Sequence, residues 1–218
     1  MAKGNMKIVK SSGTTTIKNA DDFFSKETQI LKMIDSIPEK ELEGSGNTLT
    51  KALGAMRGFD KKPQIVNKIA DGDDVIYRGI SDARGNADKY INDFKYGEYF
   101  GGQGKEGDGT YFSDNRGESE AYGKIIKAKL SPNAKIIDYD KLAAIRKEIR
   151  SRGDSRVKEI MSNVVTRNGK TIFEGEYGGG GLGVLATLMG YDAIVSHDLG
   201  AKTAYYTVLN RSRLIVEK

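Results

Sequence analysis

The residues best suited to chemistry lie in one glycine-rich stretch, which covers residues 107–123 and reads GDGTYFSDNRGESEAYG. It contains two tyrosines, Tyr111 and Tyr122. We expect Tyr111 at the end of a strand and Tyr122 near the end of a helix that runs from Gly117 to Lys127. A strand followed by a helix can place two aromatic rings as the walls of one slot. Such a slot suits a flat ring, because aromatic stacking is favourable.

The start of that helix carries its own signals. Asp114 and Asn115 are typical N-cap residues, because their side chains accept hydrogen bonds from the first free backbone N–H groups. Glu118 falls within the turn that follows.

A second candidate is Arg78, which ends the predicted strand Asp74–Arg78 (DVIYR). A side chain at the end of an apolar strand can lean into a cleft. Its guanidinium offers a rigid fork of donors that matches the oxygens of a phosphate. The alternative is a surface arginine that closes the strand.

Apolar spacing and breaker residues place these candidates in a mixed series of elements. The predicted helices are Asn19–Ile37, Leu49–Met56, Ala87–Lys95, Tyr139–Arg152, an apolar segment of helical spacing at Val157–Val165, and Leu182–Met189. The predicted strands are Asp74–Arg78, Lys124–Leu130, Lys135–Asp138, Thr171–Glu176, Tyr191–Val195, and one or two strands within Ala204–Val216. Helices and strands do not alternate regularly, so the pattern favours an α+β fold over a doubly wound parallel sheet.

Four segments carry a resemblance to a known family. Tyr77-Arg78-Gly79, followed by Gly-x-Gly-x-Tyr-Phe-x-Asp and a later second tyrosine, resembles the NAD-binding core of the ADP-ribosyltransferase superfamily, closest to its poly(ADP-ribose) polymerase branch. Residues 205–215 resemble the last catalytic strand of that branch. Gly58-Phe59-Asp60-Lys61-Lys62-Pro63 resembles ADP-ribosyltransferase-like domains attached to phage minor head proteins. Together the likeness covers about residues 58–216.

The resemblance implies a fold and a division of the chain. The fold would be a split β-sandwich, in which two small sheets with peripheral helices hold NAD in the cleft between them. Residues 58–218 would form this ADP-ribosyltransferase-like domain. Residues 1–57 would form an N-terminal helical extension that packs on the core or binds a partner.

The resemblance also implies roles for individual residues. Arg78 would hold the phosphates of NAD, and Tyr111 and Tyr122 would flank its nicotinamide ring. Gly79 and Gly109 would contact the nicotinamide amide and the ribose through the backbone, because glycine permits close approach. Each of these residues also has an ordinary alternative, since tyrosines pack in cores and glycines form turns.

Ser113 is a further catalytic candidate. It corresponds to the serine of the signature found in the arginine-type transferases. Its alternative is a simple hydroxyl at the end of a strand.

The expected reaction also requires a carboxylate. Cleavage of the bond between nicotinamide and ribose develops positive charge on the sugar, which a carboxylate stabilises. The family places a glutamate at the start of the last strand, where this chain has Tyr205. We choose Glu176, the second glutamate of the Glu-x-Glu pair in residues 174–176, as the substitute. Asp198, which follows the only histidine, His197, is another candidate.

Composition narrows the function classes. The chain has no cysteine and one histidine, so we expect no disulfide, no zinc site and no metal centre. The formal charge is +5, with basic and acidic residues interleaved, which favours a solvated surface over a nucleic-acid patch. No apolar run approaches the ~20 residues of a membrane span. We expect a protein of the host cytoplasm or of a virion.

These observations lead to one hypothesis and two rivals. The hypothesis is an NAD-dependent ADP-ribosyltransferase, encoded by a phage, with NAD as substrate and a host protein or nucleic acid as acceptor. Phage head proteins are possible partners. The first rival is a catalytically inactive transferase fold that serves as a binding or virion-associated module, because Tyr205 stands in the place of the glutamate. The second rival is an NAD glycohydrolase that uses water as acceptor.

Overall fold

The computed structural model describes residues 17–44, 48–72, 74–83, 85–98, 108–175 and 180–218. Within these ranges the fold is mixed α+β, with eight α-helices, one eight-stranded sheet and one two-stranded hairpin. The large sheet is mostly antiparallel. This confirms the predicted α+β class.

The helices are α1 (Ala20–Ser25), α2 (Glu27–Asp35), α3 (Leu49–Met56), α4 (Ala87–Tyr96), α5 (Arg116–Glu120), α6 (Tyr139–Arg152), α7 (Ser155–Met161) and α8 (Gly180–Met189). The strands are β1 (Gln64–Val66), β2 (Val75–Ile80), β3 (Thr110–Ser113), β4 (Lys124–Leu130), β5 (Ile136–Asp138), β6 (Val164–Arg167), β7 (Lys170–Glu174), β8 (Ala193–Asp198), β9 (Thr203–Val208) and β10 (Leu214–Glu217). Two short 3₁₀ helices cover Glu39–Glu41 and Arg211–Arg213.

The large sheet has the strand order β1-β10-β4-β2-β3-β9-β8-β5. Within it β1 pairs with β10, and β5 with β8, in parallel; the other pairs are antiparallel. Its two four-stranded halves meet at β2 and β3, which are joined by a single residue pair, Tyr77–Ser113. Where the resemblance implies two small sheets, the described residues form one sheet with a weak junction at its centre.

Each face of the sheet has its own core. Because side chains alternate along a strand, Ile76 of β2 and Phe112 of β3 point to one face, where they pack with the buried Phe94 of α4. Ile137 and Ile194 belong instead to the larger core on the opposite face. Helices α6, α7 and α8 contribute to that second core.

The N-terminal helices belong to the same larger core. Phe23 of α1, Ile30 of α2 and Leu53 of α3 are fully buried in one cluster with Leu142 of α6 and Leu185 of α8. These helices therefore pack on the rest of the protein. No helix among the described residues combines the length and the apolar character that crossing a membrane requires.

The predicted helix from Gly117 to Lys127 is wrong in its second half. Helix α5 ends at Glu120, and β4 begins at Lys124. Gly123 has a φ of 125°, a conformation that side-chain-bearing residues rarely adopt, so the helix cannot continue through it. The segment Lys124–Leu130 instead pairs along its length with β2 and continues to β10.

Candidate functional site

The site begins at the gap between β2 and β3. Beyond the Tyr77–Ser113 pair, the described residues 78–80 of β2 and 110–112 of β3 form no ladder pairs with each other. Both segments are fully paired on their other sides, β2 with β4 and β3 with β9. The gap therefore lies between two half-sheets, each held by pairing on its outer side.

Arg78 is the first residue of β2 past the junction, and its side chain spans the gap. Its Nη1 donates to the carbonyl oxygen of Tyr111 at 3.2 Å. Its Nε is buried and has no hydrogen-bond partner among the described residues. The guanidinium carries further N–H donors, and a fork of donors of this kind matches the oxygens of an anion.

Helix α5 lies over the junction and is fixed at both ends of its first turn. The side chain of Asn115 accepts from the backbone N–H of Glu118 at 3.3 Å, which caps the helix. The hydroxyl of Ser119 is buried and donates to the carbonyl oxygen of Tyr77 at 3.1 Å. These bonds hold Glu118, between the two anchors, in a defined position.

The carboxylate of Glu118 is the centre of a side-chain cluster at the junction. The hydroxyl of Tyr205, at the third position of β9, donates to Oε2 of Glu118 at 2.9 Å. The hydroxyl of Ser113 lies 3.4 Å from the same oxygen and also accepts from the backbone N–H of Asn115 at 3.0 Å. Ser113 is the ladder partner of both Tyr77 and Tyr205, so strand pairing brings these groups together.

The pKa of Tyr205 determines which group donates in the hydrogen bond between Tyr205 and Glu118. The pKa of Tyr205 is raised, first by its hydrogen bond to Glu118 and then by burial and nearby negative charge. Because an ordinary tyrosine has a pKa near 10, Tyr205 keeps its proton at neutral pH. It therefore acts as the donor and Glu118 as the acceptor.

The two tyrosines of the predicted slot lie on either side of α5. Tyr111 is half-buried in β3, where it pairs with Thr207. Tyr122 follows α5 in a turn and is 71% exposed. Its β-carbon lies against the backbone of Gly79. An exposed ring beside the gap is suited to cover a ligand. That Tyr111 and Tyr122 together enclose a flat ring stays a prediction.

Close packing explains why glycine is required at both candidate positions, Gly79 and Gly109. A β-carbon on Gly79 would lie 2.0 Å from the carbonyl oxygen of Ser119 and 2.7 Å from the β-carbon of Tyr122. A β-carbon on Gly109 would lie 2.8 Å from atoms of Thr207 and Val208. Neither site has room for a larger residue, whether or not a ligand binds. The contact of these glycines with a ligand stays a prediction.

We expect Gly79→Ala to lower the free energy of unfolding by about 1–3 kcal/mol, the typical cost of overpacking a filled site. The new methyl group would push α5 away from β2, because its closest neighbour is backbone rather than a flexible side chain. Urea denaturation followed by circular dichroism measures the loss.

Gly117→Ala is the matched control for Gly79→Ala. It adds the same methyl group within α5, where the nearest atom would be Oδ1 of Asn115 at 3.5 Å. Alanine also has the higher helix propensity, so stability should stay the same or rise slightly. Equal losses in the two variants would contradict the assigned contact between Gly79 and α5.

The other candidate carboxylates lie elsewhere or outside the described residues. Glu176 lies outside them, and its catalytic role stays a prediction. Glu174 ends β7 in the separate hairpin. Oδ1 of Asp198 accepts from the backbone N–H groups of Gly200 at 2.8 Å and Ala201 at 3.1 Å, as expected for a turn residue. The described residues contain no group of three metal-ligating side chains.

Glu118 is the functional candidate that sequence reasoning missed. The available signal was its position three residues after Asn115, the spacing of a capping box. That signal explains a helix start but gives no reason to expect the contact with Tyr205.

Two pockets found among the described residues lie away from this cluster. One, of about 80 Å³, lies beside α3 and is lined by Thr50, Asp108 and Arg211 among others. The other, of about 400 Å³, lies on α6 and α7. Neither is lined by Arg78 or Glu118. The cluster is identified by its hydrogen bonds and by the gap, not by a deep cavity.

Comparison with known protein families, with curated proteins and with solved structures finds no match for this chain. Function therefore has to be inferred from the contacts of Arg78, Ser113, Glu118 and Tyr205.

Proposed function

We propose that this protein is an NAD-dependent ADP-ribosyltransferase with a split β-sandwich fold, which transfers ADP-ribose from NAD to a macromolecule of a host cell. The observation that carries the proposal is the half-buried carboxylate of Glu118, held by Ser113 and Tyr205 beside the gap that Arg78 spans. A positioned carboxylate and a cation with a spare donor are the two groups that this reaction requires from a protein.

Arg78 fits the role of anchor for the NAD pyrophosphate. Its guanidinium lies at the gap, where it donates to the carbonyl oxygen of Tyr111, and its fork of donors matches phosphate oxygens. Tyr122 and Tyr111 would cover the nicotinamide ring, since one is exposed beside the gap and the other lines it.

Glu118 would perform the electrostatic part of the reaction. Positive charge develops on the ribose ring as its bond to nicotinamide breaks, and a fixed carboxylate stabilises that charge without having to reorganise. Tyr205 and Ser113 hold the carboxylate through Oε2. Nicotinamide leaves as a neutral molecule, the acceptor bonds to the ribose carbon in its place, and the proton of the acceptor passes to solvent.

The position at which the family has its glutamate supports the assignment of Glu118 as the essential carboxylate. By resemblance a glutamate would stand at Tyr205, and here the hydroxyl of Tyr205 contacts Glu118 instead. A carboxylate from α5 would thus reach the position that the last strand normally supplies. We prefer Glu118 to Glu176 because Glu118 has defined contacts with two other candidate residues.

The setting of the activity is inferred from the resemblance of residues 58–63 to phage head-associated domains. On that basis the protein would be encoded by a phage and act in the host cytoplasm or from a virion. Phage head proteins would be partners, and a host protein or nucleic acid would be the acceptor.

We expect Arg78→Ala to weaken NAD binding about 10- to 100-fold, since a hydrogen bond to a charged group contributes about 1.5–3 kcal/mol. Isothermal titration calorimetry with NAD measures the change. Arg116→Ala is the matched control, because Arg116 is an exposed arginine on α5 whose salt bridge is to Glu120. Unchanged affinity in Arg78→Ala would remove Arg78 from the site.

Incubation with radiolabelled NAD and a bacterial lysate separates the proposal from its rivals. A transferase labels a lysate component and releases nicotinamide. Release of nicotinamide without labelled macromolecule would indicate an NAD glycohydrolase. Neither product, with NAD still bound in the calorimeter, would indicate an inactive binding module.

A further inference from the structure

A strongly basic pocket lies on α6 and α7, apart from the cluster around Glu118. Its volume is about 400 Å³, and its lining includes four cations, one aromatic ring and an apolar side chain: Arg146, Lys147, Arg150, Lys158, Tyr139 and Leu182. No carboxylate is among the described residues that line it. A volume of this size accommodates one or two units of a polymer or a small molecule.

Three of the four cations of this basic pocket have no ion pair within the described part of the protein. Lys147, Arg150 and Lys158 are exposed and form no ion pair with another described residue. The neighbouring acid on the same helix, Glu148, is bound to Arg152 at 2.9 Å. These three side chains thus present their charge to solvent.

The arrangement of the cations is set by helix packing. Nε of Arg146 donates to the carbonyl oxygen of Met161 at 2.7 Å, which ties α6 to the end of α7. Arg146 and Arg150 are one turn apart and therefore project from the same side of α6. The pKa of Arg146 is lowered, first by burial and then by the charge of Arg150, so the two cations lie close enough to repel each other.

We propose that the basic pocket binds the phosphate backbone of a single-stranded nucleic acid, with one base against Tyr139. Cations spread over two helices match a chain of phosphates better than one compact anion, and neutralising phosphates is the main source of such affinity. The half-buried ring of Tyr139 beside Leu182 offers a surface on which a base can stack.

This inference goes beyond the proposed transferase activity, because it requires neither NAD nor Glu118. The basic pocket is also consistent with the overall composition, in which basic and acidic residues are interleaved. The cations come from α6 and α7, where acidic residues are interleaved along the sequence, and only helix packing gathers them on one side.

Fluorescence anisotropy with a labelled oligothymidylate of about 12 nucleotides tests the pocket, a length within the range that one binding surface covers. We expect the double variant Lys147→Gln, Lys158→Gln to bind at least about tenfold more weakly than wild type. Its slope of log affinity against log salt should be smaller in magnitude by about 1.4, since each lost phosphate contact on a single strand contributes about 0.7.

The double variant Lys40→Gln, Lys170→Gln is the control, because it removes the same charge from exposed lysines outside the pocket. Its affinity should equal that of wild type. An equal loss in both double variants, or no binding by wild type, would overturn the inference.

A substitution of the aromatic ring tests the stacking contact. Tyr139→Phe should bind like wild type, and Tyr139→Leu should bind about five- to hundredfold more weakly, the range for loss of one base stack. Thermal melting verifies that each variant is folded. If polyglutamate displaces the oligonucleotide as well as unlabelled oligothymidylate does, the pocket recognises charge alone and the inference is wrong.

Discussion

Replacing Glu118 by glutamine is expected to lower the rate of nicotinamide release from NAD by about 10²–10³-fold, the typical cost of removing one fixed electrostatic contact to a developing charge. Glutamine keeps the size of the side chain and an oxygen that accepts from Tyr205 and Ser113. The variant should therefore fold like wild type and bind NAD with similar affinity. The loss should appear in kcat, because the negative charge acts on the transition state rather than on the bound substrate.

Glu120→Gln is the matched control for Glu118→Gln. It removes the same charge from the same helix, two residues further on, where the carboxylate is exposed and bound to Arg116 at 2.7 Å. Such a surface pair contributes little to stability, so this variant should keep full activity. Full activity in Glu118→Gln would exclude Glu118 as the essential carboxylate and return that role to Glu176.

A second variant separates positioning from charge. Tyr205→Phe removes the donor to Oε2 of Glu118 but leaves the carboxylate in place. We expect a smaller loss of kcat than in Glu118→Gln, because Ser113 still holds the carboxylate.

Local signals predicted the individual elements of the fold well. The bounds of α3, Leu49–Met56, and of β4, Lys124–Leu130, agree with the sequence prediction because a cap or a breaker stands at their ends. The predicted helical segment Val157–Val165 is wrong in its second half: α7 ends at Met161 and β6 begins at Val164. The missed signal was Asn168-Gly169, whose φ angles of 51° and 74° form a hairpin turn.

Long-range pairing could not be predicted from such signals. The parallel pairing of β1 with β10 joins Gln64 to Ile215, which are far apart in the sequence. The weak junction between β2 and β3 depends on how both strands pair on their outer sides. No local pattern encodes either arrangement, because each is decided by the packing of the whole sheet.

The same contrast between local signals and long-range pairing explains why only part of the candidate site could be predicted. Arg78 is the fourth residue of β2, Val75–Ile80, and not its end as predicted, whereas Ser113 ends β3. The structure places both residues at the junction. The contact between Tyr205 and Glu118 joins residues that are 87 positions apart. Tyr205 could be recognised from the sequence as an unusual residue, but its partner could be found only from the fold.

The second large effect is expected at Asp192, a buried residue that joins β8 to two distant segments. Its Oδ1 accepts from the side-chain amide of Asn210 at 2.6 Å, and its Oδ2 accepts from the backbone N–H of Lys135 at 2.8 Å. Only 4% of Asp192 is exposed. The residue thus ties the start of β5 and the segment before β10 to the same end of β8.

We expect Asp192→Ala to lower the free energy of unfolding by about 2–5 kcal/mol, because each buried donor left without an acceptor costs about 1–3 kcal/mol. The affected donors are the amide of Asn210 and the N–H of Lys135. Urea denaturation monitored by circular dichroism measures the change. Asp140→Ala, which removes an exposed carboxylate from the first turn of α6, should change stability by less than about 1 kcal/mol.

A further variant identifies which contact of Asp192 matters. Nε of Arg213 lies 3.7 Å from Oδ2 of Asp192, and the arginine side chain is 45% exposed. Because an exposed partner remains solvated after the pair is lost, Arg213→Ala should cost less than about 1 kcal/mol. A loss in Arg213→Ala as large as that in Asp192→Ala would mean that the ion pair, and not the two buried hydrogen bonds, stabilises this end of the sheet. Asp192→Asn should fall between the two variants, since its amide oxygen can still accept from one of the two donors.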